Sequence, residues 1–345
     1  MGLPNVGKST LFNALVKGSQ AAAANYPFCT IEPNVGIVEV PDDRLSKLSE
    51  ISKSKKTVPA VVEFVDIAGL VRGASKGEGL GNKFLSHIRE CDAVAMVVRF
   101  FENSDVVHVA GKIDPNDDIS AIETELQLAD LATVEKRLET IDKDIRVGDK
   151  FAPKTKEILA KIKNLLNDGK NARDLALVEN EAKLIKELGL MTLKPVLYIA
   201  NCSEDQLKDF QDDKFIPISA KIEAELNELT EDEKKEYLEE LGIESSGLNK
   251  LITKAYETLG LISYLTSGEP ETRAWTIKTG WTAPQAAGVI HGDFERGFIA
   301  AETVKYEDFI ANNGWVGCKE KGLVKTQGKE YIMKDGDIVL FRFNV

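Results

Sequence analysis

Long apolar runs are missing from this chain of 345 residues: no window approaches ~18 uninterrupted hydrophobic residues, so no membrane-spanning helix is expected. The start, Met1-Gly2-Leu3-Pro4-Asn5, has no cationic stretch followed by an apolar one and gives no sign of a secretory leader. Cysteine is scarce. Cys29, Cys91, Cys202 and Cys318 are spread along the chain with no C-x-x-C pair and no histidine at zinc spacing. That excludes a disulfide framework and a zinc site and suggests free thiols in a reducing cytoplasm. An excess of positive charge is also lacking, since 44 Lys and Arg stand against 56 Asp and Glu for a net charge of −12. The average surface therefore repels phosphate backbones; any nucleic-acid contact must be local, and DNA is not an expected partner.

Apolar residues at 43% and charged residues at 29% are the balance of a soluble globular chain, and the length favours two parts or one domain inserted in another. Val61 to Val65 and Ala93 to Val98 read as buried parallel strands within an α/β pattern. From about Ala121 the rhythm changes. Leu131, Val134, Leu138, Ile141 and Ile145 recur three and four apart among charges, followed after Pro153 by Ile158, Ile162 and Leu165, which predicts two helices packed as an antiparallel arm. Val196 to Ala200 resumes the sheet. Beyond Ser263 lie all three tryptophans and short β-like pieces, the signature of a small terminal α+β domain.

Gly2-Leu3-Pro4-Asn5-Val6-Gly7-Lys8-Ser9-Thr10 matches G-x-x-x-x-G-K-[ST], the loop whose backbone N–H groups surround phosphates at a helix N-terminus. The residues from Asn5 to Thr10 are thus expected to line a nucleotide, with Lys8 on the β- and γ-phosphates and the Ser9 hydroxyl on Mg²⁺. Val61 to Val65 runs into Asp66-Ile67-Ala68-Gly69, a D-x-x-G arrangement in which the carboxylate faces the metal shell and the glycine N–H meets the γ-phosphate. Between these, Thr30 is placed to offer a second hydroxyl to the metal, although threonine in such a loop is commonly a turn residue.

The loop, the segment Asn25 to Pro33, Asp66 to Ala74 and Gly77-Glu78-Gly79-Leu80-Gly81-Asn82 together resemble the YchF subfamily of Obg-related P-loop NTPases. The resemblance implies a Ras-like nucleotide domain over residues 1–120 and 191–262, an inserted antiparallel coiled-coil domain over 121–190 and a C-terminal TGS domain, β-grasp-like, over 263–345. It also implies association with ribosomes and a subfamily preference for ATP. The base-reading N-K-x-D of GTPases is altered here to Asn201-Cys202-Ser203-Glu204, which loses the lysine stem and lengthens the carboxylate side chain. A weakened guanine clamp removes the penalty against adenine, so ATP is expected and GTP more weakly. Ser219-Ala220-Lys221 resembles the last base-side loop; an ordinary helix cap at Ser219 fits equally well.

Leu70 stands where Ras-like switches carry a water-orienting glutamine, so slow hydrolysis is expected. Asn5 resembles the asparagine that holds K⁺ in potassium-activated relatives; a loop-shaping role is the alternative. His108 resembles a YchF histidine able to swing toward the γ-phosphate, against the plainer reading of a satisfied loop residue. His87 is expected on an exposed helix face, and His291 in a surface turn.

A phosphate loop normally follows a central β-strand, and nothing before Gly2 can be that strand, so an upstream start or a shortened chain is expected. From Ile262 onward ten basic residues nearly balance eleven acidic ones, and Lys319, Lys321, Lys325 and Lys329 gather near Trp315, a patch able to meet ribosomal RNA or to serve as a solvated hairpin face. The sequence thus predicts a Mg²⁺-dependent ATPase switch. The alternatives are a GTPase of the same fold, a scaffold that does not hydrolyse, and a small-molecule kinase. The last is disfavoured because the arm holds only Arg137, Arg146 and Arg173.

Overall fold

A computed structural model describes residues 1–17, 34–67, 80–102, 113–243 and 245–344. In chain order its main elements are α1 (Lys8–Lys17), β1 (Val35–Glu39), α2 (Arg44–Ser52), β2 (Thr57–Val58), β3 (Val61–Val65), α3 (Leu80–Glu90), β4 (Val94–Arg99), α4 (Pro115–Val147), α5 (Ala152–Asn167), α6 (Glu179–Ile185), β5 (Val196–Asn201), α7 (Glu204–Lys208), β6 (Phe215–Ile218) and α8 (Ala220–Leu226). The C-terminal region holds β7 (Leu261–Ser267), β8 (Thr272–Lys278), β9 (Phe298–Val304), β10 (Lys325–Gln327), β11 (Ile338–Phe343) and the helix Ala283–Ile290. The chain falls into two compact units, one of residues 1–14 and 65–248, the other of 15–64 and 249–345.

In the first unit β4, β5 and β6 form a parallel sheet in that order, with Arg99 opposite Asn201 and Asn201 opposite Ile218 at the carboxyl ends. The near-continuous apolar runs of β4 and β5 follow from burial on both faces of a parallel sheet. Met1 lies along the free side of β4: its amino nitrogen donates to the Ala95 carbonyl at 2.7 Å, and Val97 N–H donates to the Met1 carbonyl at 2.8 Å. One residue of ladder therefore leads directly into the glycine-rich loop.

The arm expected from heptad-like spacing is present. Asp114 caps α4 by accepting from Asp117 N–H, Pro115 occupies the first turn, and 33 helical residues give a length of about 50 Å. Its stripe of Val134 and Ile141 meets Ile158, Leu159 and Ile162 of α5 in a buried seam. Glu135 pairs with Lys163 at 2.8 Å and Asp142 with Lys156 at 2.7 Å; as one number rises by seven the other falls by seven, the mark of antiparallel helices. At the arm's base the carboxylate of Asp130 accepts from Met191 N–H, Thr192 N–H and the Thr192 hydroxyl at 2.7 to 3.0 Å. Arg89 of α3 donates there to the Leu188 carbonyl and to Thr133 Oγ1.

The second unit carries a six-stranded mixed sheet in the order β10-β9-β11-β7-β8-β2. Strands β7 and β8 form an antiparallel hairpin, and β11 enters beside β7 in parallel. Ala283, Ala286 and Ala287 give the helix a flat face that lies against Tyr264, Ile277, Val339 and Phe341. Strand β2 extends the edge of this sheet beside β8, where Ser54, Ser267 and Thr272 join their hydroxyls at 2.8 Å. No described helix is long and apolar enough to cross a membrane.

Candidate functional site

The loop between Met1 and α1 is shaped by two left-handed residues, Asn5 at φ 64° and Gly7 at φ 90°. Asparagine is among the few residues with a side chain that tolerate this region, so the geometry of Asn5 fits the loop-shaping role. At Gly7 a side chain is excluded twice, by its φ and because a Cβ would lie 2.1 Å from Asn201 Nδ2. A Cβ on Gly2 would come within 2.6 Å of the Val97 carbonyl. Leu11 N–H donates to the Gly7 carbonyl at 3.0 Å and closes the first turn of α1. The amide groups ahead of it have no intrahelical partner, and the positive end of the helix dipole opens there, as an anion site requires. Ser9 and Thr10 are exposed on this first turn, whereas Val6 is buried and contributes through its backbone.

Two charged side chains complete the phosphate side. Burial draws the Lys8 ammonium below the ordinary lysine range, and Asp66 pulls in the opposite direction. Asp66 follows β3, and its Oδ1 is buried with no hydrogen-bond partner among the described residues. A buried acceptor left unmade costs ~1–3 kcal/mol in a folded protein. An oxygen-seeking divalent cation or its water shell would satisfy that carboxylate, so the residues present fit Mg²⁺.

On the base side the sequence places four candidates at the carboxyl ends of β5 and β6, and the structure gives them different tasks. The Asn201 side chain is buried and bonded at both ends: Nδ2 donates to the Val6 carbonyl at 2.8 Å, and Oδ1 accepts from Ala220 N–H at 3.1 Å. It ties the phosphate loop to the first residue of α8. Cys202 turns into the core, where burial pushes its thiol up to about 12, and its N–H bonds the Ile218 carbonyl at 2.8 Å. Glu204 is exposed in the first turn of α7, a favourable place for a carboxylate beside a helix N-terminus. Ser219 is buried and caps α8, accepting from Ile222 N–H at 3.5 Å. The geometry of Ser219 is thus that of the ordinary cap.

Thr30, Gly69, Leu70 and His108 lie outside the described residues. His87 is exposed on α3, and His291 is an exposed cap whose Nδ1 accepts from Asp293 N–H. The four C-terminal lysines are exposed, but Trp315 donates to the Ser267 carbonyl at 3.1 Å and packs edge-on against Phe309, so its ring serves the interior of that unit. One residue near the site escaped the sequence reading. Arg99 is 1% exposed at the end of β4, donates to the Phe101 carbonyl at 3.0 Å and lies over the Phe101 ring at 4.5 Å. Its only signal is a single cation closing an apolar strand.

Comparison with known proteins agrees with this geometry. A family model described as 50S ribosome-binding GTPase matches residues 1–201, and the YchF-GTPase C-terminal model, described as a protein of unknown function, matches residues 261–344. The chain is 55% identical to the ribosome-binding ATPase YchF of Bacillus subtilis and 50% identical to that of Escherichia coli O157:H7, in each case over 100% of this chain and 98% of the relative. The solved structure of the Schizosaccharomyces pombe YchF GTPase superposes with a TM-score of 0.88 at 39% identity, covering 99% of this chain and 96% of that one. With its glycine-rich loop, its Asp66 carboxylate and its helical arm all in place, the chain belongs to the YchF family of P-loop nucleoside triphosphatases.

Proposed function

We propose that this protein is a Mg²⁺-dependent ATPase that hydrolyses ATP slowly and acts in the cytoplasm as a nucleotide-dependent switch on the ribosome. The observation that carries the reading is the pairing, in one unit, of a glycine-shaped helix N-terminus with Lys8 and a buried Asp66 oxygen that has no hydrogen-bond partner among the described residues. Amide groups and Lys8 grip the phosphates, Ser9 and Thr30 supply hydroxyls to the metal, Asp66 orients its water shell, and Gly69 senses the γ-phosphate. Mg²⁺, when bound, neutralises charge on the β- and γ-phosphate oxygens. Leu70 offers no hydrogen bond to a water, so turnover depends on another group: His108, a K⁺ ion at Asn5, or the ribosome. The functional division follows residues 1–120 with 191–262, 121–190 and 263–345, the last a TGS-like domain that meets ribosomal RNA.

Preference for ATP over GTP is supported by the base side. Cys202 is folded away from the position where a lysine stem would cover a purine ring, and Glu204 stands exposed on α7. The description of the S. pombe relative as a GTPase favours that activity as the second reading. Single-turnover hydrolysis of ATP and of GTP, with and without ribosomes, in K⁺ and in Na⁺, tests both. Faster turnover of GTP than of ATP would select the second, and no turnover under any condition would reduce the protein to a nucleotide-gated scaffold.

A further inference from the structure

The end of the arm has the opposite character from the chain as a whole. Between residues 143 and 156 stand five cations, Lys143, Arg146, Lys150, Lys154 and Lys156, and two acids, in a protein of net charge −12. Lys143, Arg146 and Lys150 are exposed and make no ion pair among the described residues. Between them the turn presents Val147 at 90% and Phe151 at 66% exposure, two of the described residues' exposed large apolar side chains.

This turn is held rigidly. Gly148 at φ 91° closes α4 with its N–H on the Ile145 carbonyl, Asp149 N–H reaches back to the Asp144 carbonyl, and the Asp149 side chain accepts from Phe151 N–H at 2.8 Å. Thr155 then bonds the Phe151 carbonyl at 3.0 Å as α5 begins. A helix end of this kind commonly folds an apolar residue back onto its last turn, yet here neither Val147 nor Phe151 is covered. The turn lies about 25 Å along α4 from the anchored Asp130.

We propose that the arm tip is an RNA-docking surface, in which Lys143, Arg146 and Lys150 meet phosphates and Phe151, flanked by Val147, stacks on an unpaired base. Clustered cations around an exposed aromatic ring are the elements of single-stranded RNA recognition, and the local positive charge complements a phosphate backbone in a chain whose net charge is −12. Two apolar side chains are a small area for a lipid surface to hold. The proposal rests on the ribosome-binding reading and assigns it a surface apart from the C-terminal domain.

The test uses the full chain, with Lys143→Glu/Arg146→Glu/Lys150→Glu as one variant and Phe151→Ala as another, in cosedimentation with ribosomes and in binding to deproteinised ribosomal RNA across a KCl series. The charge variant is expected to bind at least about tenfold more weakly and to lose roughly two to three from the slope of log affinity against log salt. Phe151→Ala is expected to weaken binding roughly fivefold or more with the slope unchanged. Circular dichroism and ribosome-free ATP turnover, both expected unaltered, show that the variants fold. Wild-type protein that binds neither ribosomes nor RNA would sink both readings. Variants that bind as tightly as wild type would sink the tip alone, as would weakened ribosome binding by the charge variant with an unchanged salt slope, or tip-dependent binding to anionic vesicles in place of RNA.

Discussion

Asn201 Nδ2 stands 2.8 Å from the Val6 carbonyl and occupies the space that a side chain on Gly7 would need. A residue read from sequence as part of a base clamp is in the structure the brace of the phosphate loop, since its Oδ1 holds Ala220 N–H at the same time. Asn201→Ala is expected to lower ATP and ADP affinity alike by about tenfold and stability by ~1–3 kcal/mol, read by calorimetry and urea melts. Equal affinity in the variant would show that the brace is dispensable.

Gly7→Ala meets both a forbidden φ and the Asn201 amide. Nucleotide affinity is expected to fall by roughly tenfold or more, with the C-terminal unit intact by tryptophan fluorescence. A tight-binding Gly7→Ala protein would contradict the loop geometry.

Asp66→Asn keeps the shape of the side chain and removes the charge that a divalent ion would require. Hydrolysis is expected to fall on the order of 100-fold, and the Mg²⁺ dependence of triphosphate binding to disappear. If titration with Mg²⁺ still sharpened triphosphate affinity in this variant, Asp66 would be removed from the metal shell.

Burial raises the Asp130 carboxyl above its ordinary range, opposed by the bonds from Thr192 and Met191. With the folded value above the unfolded one, the folded state takes up its proton first as the medium is acidified. The group's contribution is therefore fully present below the ordinary carboxylate value and lost as pH rises through the folded one. Asp130→Asn is expected to destabilise the protein by ~1–3 kcal/mol at neutral pH, because an amide N–H₂ would face N–H donors. The gap to wild type should widen as pH falls toward 4, measured by urea melts in a pH series. A gap that narrows on acidification would reverse the assigned sign.

Cys202, with its thiol pushed up to about 12, stays protonated and buried at neutral pH, whereas Cys91 is partly exposed. Mass mapping of maleimide labelling at pH 8 should find Cys91 modified well before Cys202 or Cys318 in the native protein. Early labelling of Cys202 would mean that the base-side loop opens.

Much of the site was legible because phosphate binding is written in contiguous residues: the loop from Gly2 to Thr10 and the strand ending at Asp66 carry their chemistry in local spacing. The arm was legible for a similar reason, since a three-and-four rhythm on two neighbouring segments leaves antiparallel packing as the short solution. Thr303 opposite Lys325, or Thr57 opposite Thr272, has no such signal. Nothing local to Thr57 and Val58 distinguishes an edge strand of the C-terminal sheet from one of the nucleotide fold, because partner choice depends on hydroxyls and backbone groups more than 200 residues away.

The sequence by itself determined the phosphate loop, the carboxylate that follows β3, the helical arm and the departure of Asn201-Cys202-Ser203-Glu204 from N-K-x-D, because each depends on residue type and spacing within one segment. Tertiary structure alone decided that Asn201 braces Val6, that Cys202 faces the core, that Ser219 is spent as a cap and that an Asp66 oxygen has no partner among the described residues. Those are properties of burial and of hydrogen-bond supply, which arise only when distant strands come side by side and compete for the same donors and acceptors.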